Sequence, residues 1–299
     1  MRLFLALGEE LHFGRAAARL HISQPTLSRQ IQDLERRLGV PLFSRDSRSV
    51  TLTDAGRALV DEARATVEAM DRLRVSAGQW ARTLSAHVVV GTVGAEAAMP
   101  YTHAILEHLR TVHPALTVEI RTLSFAEHLV RLLSGDIDVA FLRPPVPAGV
   151  ELLELATEPR IACLAADDPL TRRPTLSLAD LGERVFVDVP PEVPRVWWDF
   201  WAVDPRPDGR RVRYGPVVSD MEGLLHTVAS GQGICFLPAA ARELFPRPGV
   251  RYVDVMDLSP TVSALGWPTG HRDRPAVRAV REAATAAMSA ARWKQRPPL

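Results

Sequence analysis

Leu3, Leu7 and Leu11 recur at helical spacing and predict a first helix. After Gly14, the run Arg15-Ala16-Ala17-Ala18-Arg19-Leu20 predicts a short second helix whose small side chains permit close packing. His21 and Ile22 then form a turn. Ser23 is suited to N-cap a third helix, with Pro25 in its first turn, where a missing donor costs little. Leu27, Ile31, Leu34 and Leu38 follow a 3.6-residue period and define the core face of that helix. Gly39 and Pro41 stop it. Residues 41–45 and 49–52 read as two short strands, with Asp46-Ser47-Arg48 as the turn of a wing.

Thr53 is placed to cap a long helix, and Asp54 falls in its positive first turn. Leu59, Ala63, Thr66, Met70, Leu73, Ala77, Trp80 and Leu84 recur there at spacings of four and three. This is the seam of a helix that pairs with another, or a stripe that one chain buries on its own core. Length favours pairing, because roughly thirty residues at ~1.5 Å each project well beyond a small domain.

From His87 the pattern changes. Apolar, β-branched strands over 88–92, 116–123 and 137–142 alternate with helices over 99–113 and 126–134. That order predicts an α/β fold with a parallel sheet covered by helices. Strands over 160–165, 185–189 and 234–237, and helices over 221–229 and 276–293, extend it. A strand over 262–267 returns to the first sheet.

Composition narrows the function. The chain has 299 residues, 46% of them apolar, and a net charge of +1. No apolar run reaches the length of a membrane span, and the N-terminus lacks a signal-peptide layout, so a cytosolic location is expected. Cys163 and Cys235 each lie in an apolar segment and are expected to be small core residues. Lys294 is the single lysine, so arginine supplies every other basic side chain. Pyridoxal-phosphate chemistry and P-loop phosphate binding both need a well-placed lysine. No HExxH or GxSxG motif occurs, His103 and His108 are off one helical face, and neither a metal nor a cofactor is expected.

The near-neutral average conceals a local excess: the first sixty residues hold nine arginines against six acids. The polar face of the third helix carries Gln24, Thr26, Ser28, Arg29, Gln32 and Arg36, side chains that hydrogen-bond base edges and phosphates. A solvated polar face is the alternative reading of that pattern alone. Arg45 and Arg48 on the wing favour phosphate or minor-groove contact beside such a helix.

The run Glu10-Leu11-His12-Phe13-Gly14-Arg15-Ala16-Ala17, followed by Leu20-His21-Ile22-Ser23-Gln24-Pro25-Thr26-Leu27-Ser28-Arg29-Gln30-Ile31, resembles the signature of the LysR-type transcriptional regulators. Leu34-Glu35, Leu38-Gly39-Val40-Pro41-Leu42-Phe43, Arg45 and Leu52-Thr53-Asp54-Ala55-Gly56 continue it. Gly135-Asp136-Ile137-Asp138-Val139-Ala140-Phe141, Val228-Ala229-Ser230-Gly231-Gln232-Gly233-Ile234 and Leu237-Pro238 are weaker matches in the family's order. The first helix begins almost at Met1, where members usually carry a few more residues.

The resemblance implies a winged helix-turn-helix head (1–57), a linker helix that dimerises the heads (58–85) and a two-lobed, periplasmic-binding-protein-like effector domain (86–299). Lobe I comprises 86–160 and 264–299, and lobe II comprises 161–263. Base reading falls to Gln24, Pro25, Ser28 and Arg29, and Ser23, Thr26, Gln32, Arg45 and Arg48 complete the expected DNA surface. The implied partners are promoter DNA with inverted-repeat half-sites, a small-molecule effector and further copies of the chain, as a dimer or tetramer. No enzymatic activity is expected.

The effector cleft is expected between the lobes, where strands end and helices begin. Gly94, Ala95 and Glu96 stand at a turn opening a helix whose N–H groups suit an anion. However, no Ser or Thr lies from Val93 to Pro100, and Glu96 adds negative charge, which weakens the case for a simple carboxylate. Ser124 and Phe125 follow the second strand. Arg143 is either the cation for an acidic ligand or a surface arginine before Pro144-Pro145. Trp198 and Trp201, in Trp197-Trp198-Asp199-Phe200-Trp201, either wall a pocket or pack a helix on lobe II.

Overall fold

The structure, a computed structural model, describes residues 1–46, 49–84 and 86–290. Its contacts divide the chain into two compact units, 1–77 and 78–299.

In the first unit, α1 (Arg2–Glu10), α2 (Phe13–Arg19) and α3 (Gln24–Leu38) enclose a core of Phe4, Leu7, Ala16, Ala17, Leu27 and Ile31. Ser23 caps α3, with Oγ accepting from the Thr26 N–H at 3.4 Å, and Gly39 ends it in the left-handed conformation. The predicted core face is too long by a turn. Leu34 is half-buried and Leu38 is 41% exposed, because the head has no further layer to cover the last turn of α3.

The wing consists of β1 (Phe43–Asp46) paired antiparallel with β2 (Ser49–Leu52), with Phe43 opposite Leu52. Glu35 Oε1 accepts the N–H groups of Leu42 and Phe43 at 2.9 and 3.1 Å, which ties the wing to α3. Thr53 caps α4 (Asp54–Leu84) through Gly56 N–H at 2.9 Å. Gly56 packs so closely that an added Cβ would lie 2.2 Å from the Leu42 carbonyl oxygen. Leu59 and Ala63 of the α4 stripe join the head core, whereas Met70 and Leu73 are 49% and 62% exposed.

In the second unit, β3 (His87–Val93), α5 (Pro100–Val112), β4 (Thr117–Leu123), α6 (Glu127–Ser134) and β5 (Val139–Leu142) form the expected βαβαβ unit. β3 lies parallel to both β4 and β5. The chain continues through β6 (Val150–Glu158), β7 (Arg160–Ala165), β8 (Thr175–Leu176), β9 (Val185–Asp188), α7 (Arg195–Ala202), β10 (Arg213–Val217) and α8 (Met221–Ala229). It closes with β11 (Cys235–Pro238), α9 (Ala241–Leu244), β12 (Val250–Val255), β13 (Thr261–Pro268) and α10 (Pro275–Ser289).

Lobe I holds a five-stranded sheet in the order β4-β3-β5-β13-β6, with β13 antiparallel to both neighbours. Its core sets Val88, Val90, Val139 and Phe141 against Ile105 and Leu109 of α5 and Val277 and Val280 of α10. Lobe II holds a four-stranded sheet, β11-β7-β12-β8, and the parallel pair β10-β9, joined to the strand end before β11 by a bridge between Phe186 and Ile234. Cys163 and Cys235 face each other across β7 and β11 as buried free thiols.

Two adjacent crossings connect the lobes. One lies between β6 and β7. The other precedes Thr261, which already pairs with Glu158 in lobe I, so the return comes slightly earlier than Ser263. Arg160 fastens the crossings together: Nε donates to the Ser259 carbonyl at 2.8 Å and Nη2 to its hydroxyl at 2.7 Å. Nη1 reaches the Phe200 carbonyl at 2.6 Å. Burial without a facing carboxylate pulls the Arg160 guanidinium down to about 10, still charged at neutral pH.

The end of α4 is anchored on lobe I. Gln79 and Arg82 both donate to the Gly135 carbonyl, at 3.0 and 2.8 Å, and Arg82 pairs with Asp138 at 3.2 Å. Gly135 ends α6 at φ 78°, and an added Cβ would strike Gln79 Nε2, so the Gly-Asp-Ile-Asp phrase builds this anchor.

Candidate functional site

The first candidate surface is the N-terminal half of α3. Its buried face, Leu27 and Ile31, seats the helix on the head and turns Gln24, Thr26, Arg29 and Gln32 outward. Ser23, Gln24, Pro25, Thr26, Arg29 and Gln32 are all exposed, and Ser28 is half-buried. The Ser23 and Thr26 hydroxyls bond each other at 2.8 Å, completing the cap. Among the described residues, Arg29 and Gln32 make no hydrogen bond or ion pair, whereas Arg36 is held by Asp33. The backbone of Arg45 lies on β1 opposite Val50, and Arg48 lies outside the described residues. An exposed row of donors at a helix N-terminus, flanked by a two-stranded wing, matches the geometry that enters a DNA major groove.

The second candidate is a cavity of about 70 Å³ between the lobes. It opens at the C-terminal ends of β3 and β5, on either side of the point where the chain switches direction across the sheet. Gly94, Ala95, Glu96, Phe125, Arg143, Trp198 and Trp201 all line it. Ser124 does not: its hydroxyl and N–H both bond Glu127, at 2.8 and 3.3 Å, and serve the start of α6. Trp197, from the aromatic run read as a possible pocket wall, lines it too, whereas sequence reasoning passed over His128, Met221 and Phe236. The clustering of tryptophans in 197–201 was the signal for Trp197. The others come from helices and strands far apart in sequence.

The expected anion-binding helix start is absent from this turn. Glu96–Ala98 is a three-residue 3-10 turn, and α5 begins only at Pro100. Glu96 folds inward instead, 3% exposed. Its Oε1 accepts from Arg143 Nε at 2.7 Å and from the Ser263 hydroxyl at 3.4 Å, and its Oε2 accepts from Tyr101 at 2.5 Å. Arg143 is accordingly neither a free cation nor a surface side chain. It is 8% exposed, and its Nη2 donates to Glu158 at 2.5 Å. Burial raises the Glu96 carboxyl above its ordinary range, against the opposing pull of Arg143 and Tyr101.

The aromatic wall is both pocket and packing. Trp197 donates to the Arg143 carbonyl at 3.0 Å, bridging the lobes, and Trp198 donates to Val187 at 3.2 Å. Phe125 lies 5.9 and 6.1 Å from the two rings. The His128 ring lies tilted 5.0 Å from Trp197, and its Nδ1 donates to the Phe125 carbonyl at 2.9 Å. Burial pushes its imidazole down to about 4, so it is neutral at physiological pH.

A winged helix-turn-helix ahead of a two-lobed α/β domain with an interlobe cavity defines a DNA-binding regulator of the ligand-sensing class. Residues 1–57 match the bacterial regulatory helix-turn-helix protein family of lysR type, and residues 83–289 match the LysR substrate binding domain. The chain belongs to the LysR-type transcriptional regulators.

Similar proteins include the uncharacterized HTH-type transcriptional regulator YnfL of Escherichia coli (strain K12), 31% identical over 93% of this chain and 94% of that protein. The HTH-type transcriptional regulator AlsR of Bacillus subtilis (strain 168) is 31% identical over 82% of this chain and 81% of its own. The crystal structure of CbnR, a LysR family transcriptional regulator, superposes with a TM-score of 0.57 at 25% identity, over 96% of this chain and 97% of that one. The relatives are named as regulators of transcription, not as enzymes. Among the described residues, no helix is long and apolar enough to cross a membrane.

Proposed function

We propose that this regulator reads promoter DNA with Ser23, Gln24, Pro25, Thr26, Ser28, Arg29 and Gln32 and grips phosphate with Arg45 and Arg48 of the wing. The observation that carries this reading is that Arg29 and Gln32 are exposed and, among the described residues, unpartnered on a well-capped helix. Footprinting on the DNA flanking its own gene tests it. Arg29→Ala is expected to relax sequence preference, while Arg48→Ala weakens binding evenly across sequences. Equal loss of specificity from both would refute this division of roles.

The chain is read as a head (1–57), a linker (58–85) and an effector domain (86–299), acting in the cytosol as a homodimer or tetramer. The exposed stripe of Met70, Leu73 and Trp80 along α4 supports pairing of two chains through the linker. Two heads then address two half-sites about one helical turn apart, or a multiple of it. The interlobe cavity is the proposed effector site, with Gly94, Ala95, Glu96, Phe125, Arg143, Trp198 and Trp201 around the ligand. A ligand there changes the relation of the lobes, and the anchor of Gln79 and Arg82 on Gly135 and Asp138 passes the change to α4. A bound effector that alters neither footprint nor transcription would overturn this mechanism.

A further inference from the structure

We infer that the interlobe cavity takes an uncharged, flat, largely apolar molecule carrying one hydrogen-bond-accepting oxygen, and that it discriminates against carboxylates. The inference rests on the cavity being the effector site.

The cation that a carboxylate would need is already engaged. Arg143 gives Nε to Glu96 and Nη2 to Glu158, and Glu158 is itself fixed by the Ala240 N–H at 2.8 Å. With both acids ionised the cluster carries one negative charge, and with Glu96 protonated it is neutral. In either state an incoming carboxylate adds an uncompensated charge in a water-poor site. His128, neutral and committed through Nδ1, supplies no further cation.

Two donors are nevertheless left over. Arg143 Nη1 and Trp201 Nε1 are buried and, among the described residues, have no hydrogen-bond partner. They belong to residues that line the same cavity from opposite lobes. Other buried polar atoms among the described residues also lack partners, but of these residues only Arg143 and Trp201 line this cavity, and unpartnered donors there mark a place for an acceptor. A carbonyl or ether oxygen satisfies them without importing charge, and the faces of Phe125 and Trp198 suit a ring. At about 70 Å³ the cavity is roughly half the ~150 Å³ that holds benzene in an engineered apolar cavity. A ring compound must therefore displace lining side chains or shift the lobes as it enters, which links occupancy to conformation.

Calorimetric titration of the full-length protein with acetophenone, benzoate and ethylbenzene tests this. The three probes share a ring and differ in bearing a ketone, a carboxylate or neither. Acetophenone is expected to bind about tenfold or more tightly than benzoate, and several-fold more tightly than ethylbenzene. Trp201→Phe is expected to narrow the ketone's advantage over ethylbenzene, read as the ratio of the two affinities within the same variant. Ala95→Phe, which fills the cavity, is expected to abolish all binding with the far-ultraviolet dichroism unchanged.

Benzoate binding as tightly as acetophenone, or no binding by any probe, overturns the ligand class. The comparison on the unmodified protein decides this even where a variant misfolds. If benzoate wins and Ala95→Phe abolishes it, the cavity stands as a ligand site and only the class falls. Binding that survives in folded Ala95→Phe overturns the cavity as well.

Discussion

Replacing Arg143 by Met keeps the aliphatic reach of the side chain and removes the charge between Glu96 and Glu158. Glu96 is 3% exposed and would keep only the Tyr101, Ser263 and backbone contacts around it. Breaking a buried pair from one side costs about 3–5 kcal/mol, because the remaining charge stays desolvated. With a urea m-value near 2.5 kcal/mol/M, the midpoint should fall by roughly 1–2 M at pH 7.5.

The loss should shrink in acid. Glu96 is already raised above its ordinary range by burial, and without Arg143 it is raised further. The folded state then binds a proton that the unfolded state releases, so stability is greatest below the ordinary carboxyl range and is lost as pH rises through the folded value. Lowering the pH from 7.5 should therefore recover part of the variant's loss relative to the parent. Urea unfolding followed by tryptophan emission at pH 7.5 and 5.5 measures this. A loss under about 1 kcal/mol, or an equal loss at both pH values, would show that Arg143 does not neutralise a buried acid.

The head offers a steric test: Gly56→Ala forces a Cβ against the Leu42 carbonyl. It should cost the head about 1–3 kcal/mol and weaken DNA binding in a mobility-shift assay, without changing ligand binding. Leu73→Glu with Trp80→Glu places charge on the exposed α4 stripe and should lower the sedimentation-derived mass toward the monomer; an unchanged mass would move the interface elsewhere. For His128, the unfolded imidazole takes its proton near 6.5 and the buried one resists until about 4. Stability should therefore fall by about 3 kcal/mol as pH drops across that window. His128→Gln should flatten this part of the pH–stability curve, and an unaltered slope would refute the assignment.

The head was legible in the sequence because its determinants are local. Ser23 caps α3 three residues before Thr26, Gly39 stops it, and Leu27 and Ile31 fix its buried face within two turns. The βαβαβ order of lobe I was equally plain, since β3 and β5 are short apolar runs buried on both faces and the edge strand β4 lies between two helices. β6 escaped notice because its burial is partial along most of its length, as suits a sheet edge. Leu38 misled for a related reason: periodicity marks a face but does not say how far the core extends.

The cavity was only half visible. Its residues were nameable one by one, but their roles depended on what met them. Glu96 read as an unwanted charge at an anion site, and Arg143 as a cation awaiting a ligand. Only the tertiary structure puts them 2.7 Å apart, with Glu158 on the other side. Sequence by itself determined that this chain holds DNA by a helix and carries a two-lobed domain behind it. The chemistry of the cavity was decided by folding, because charge compensation is a property of neighbours and the neighbours here come from positions 96, 143 and 158.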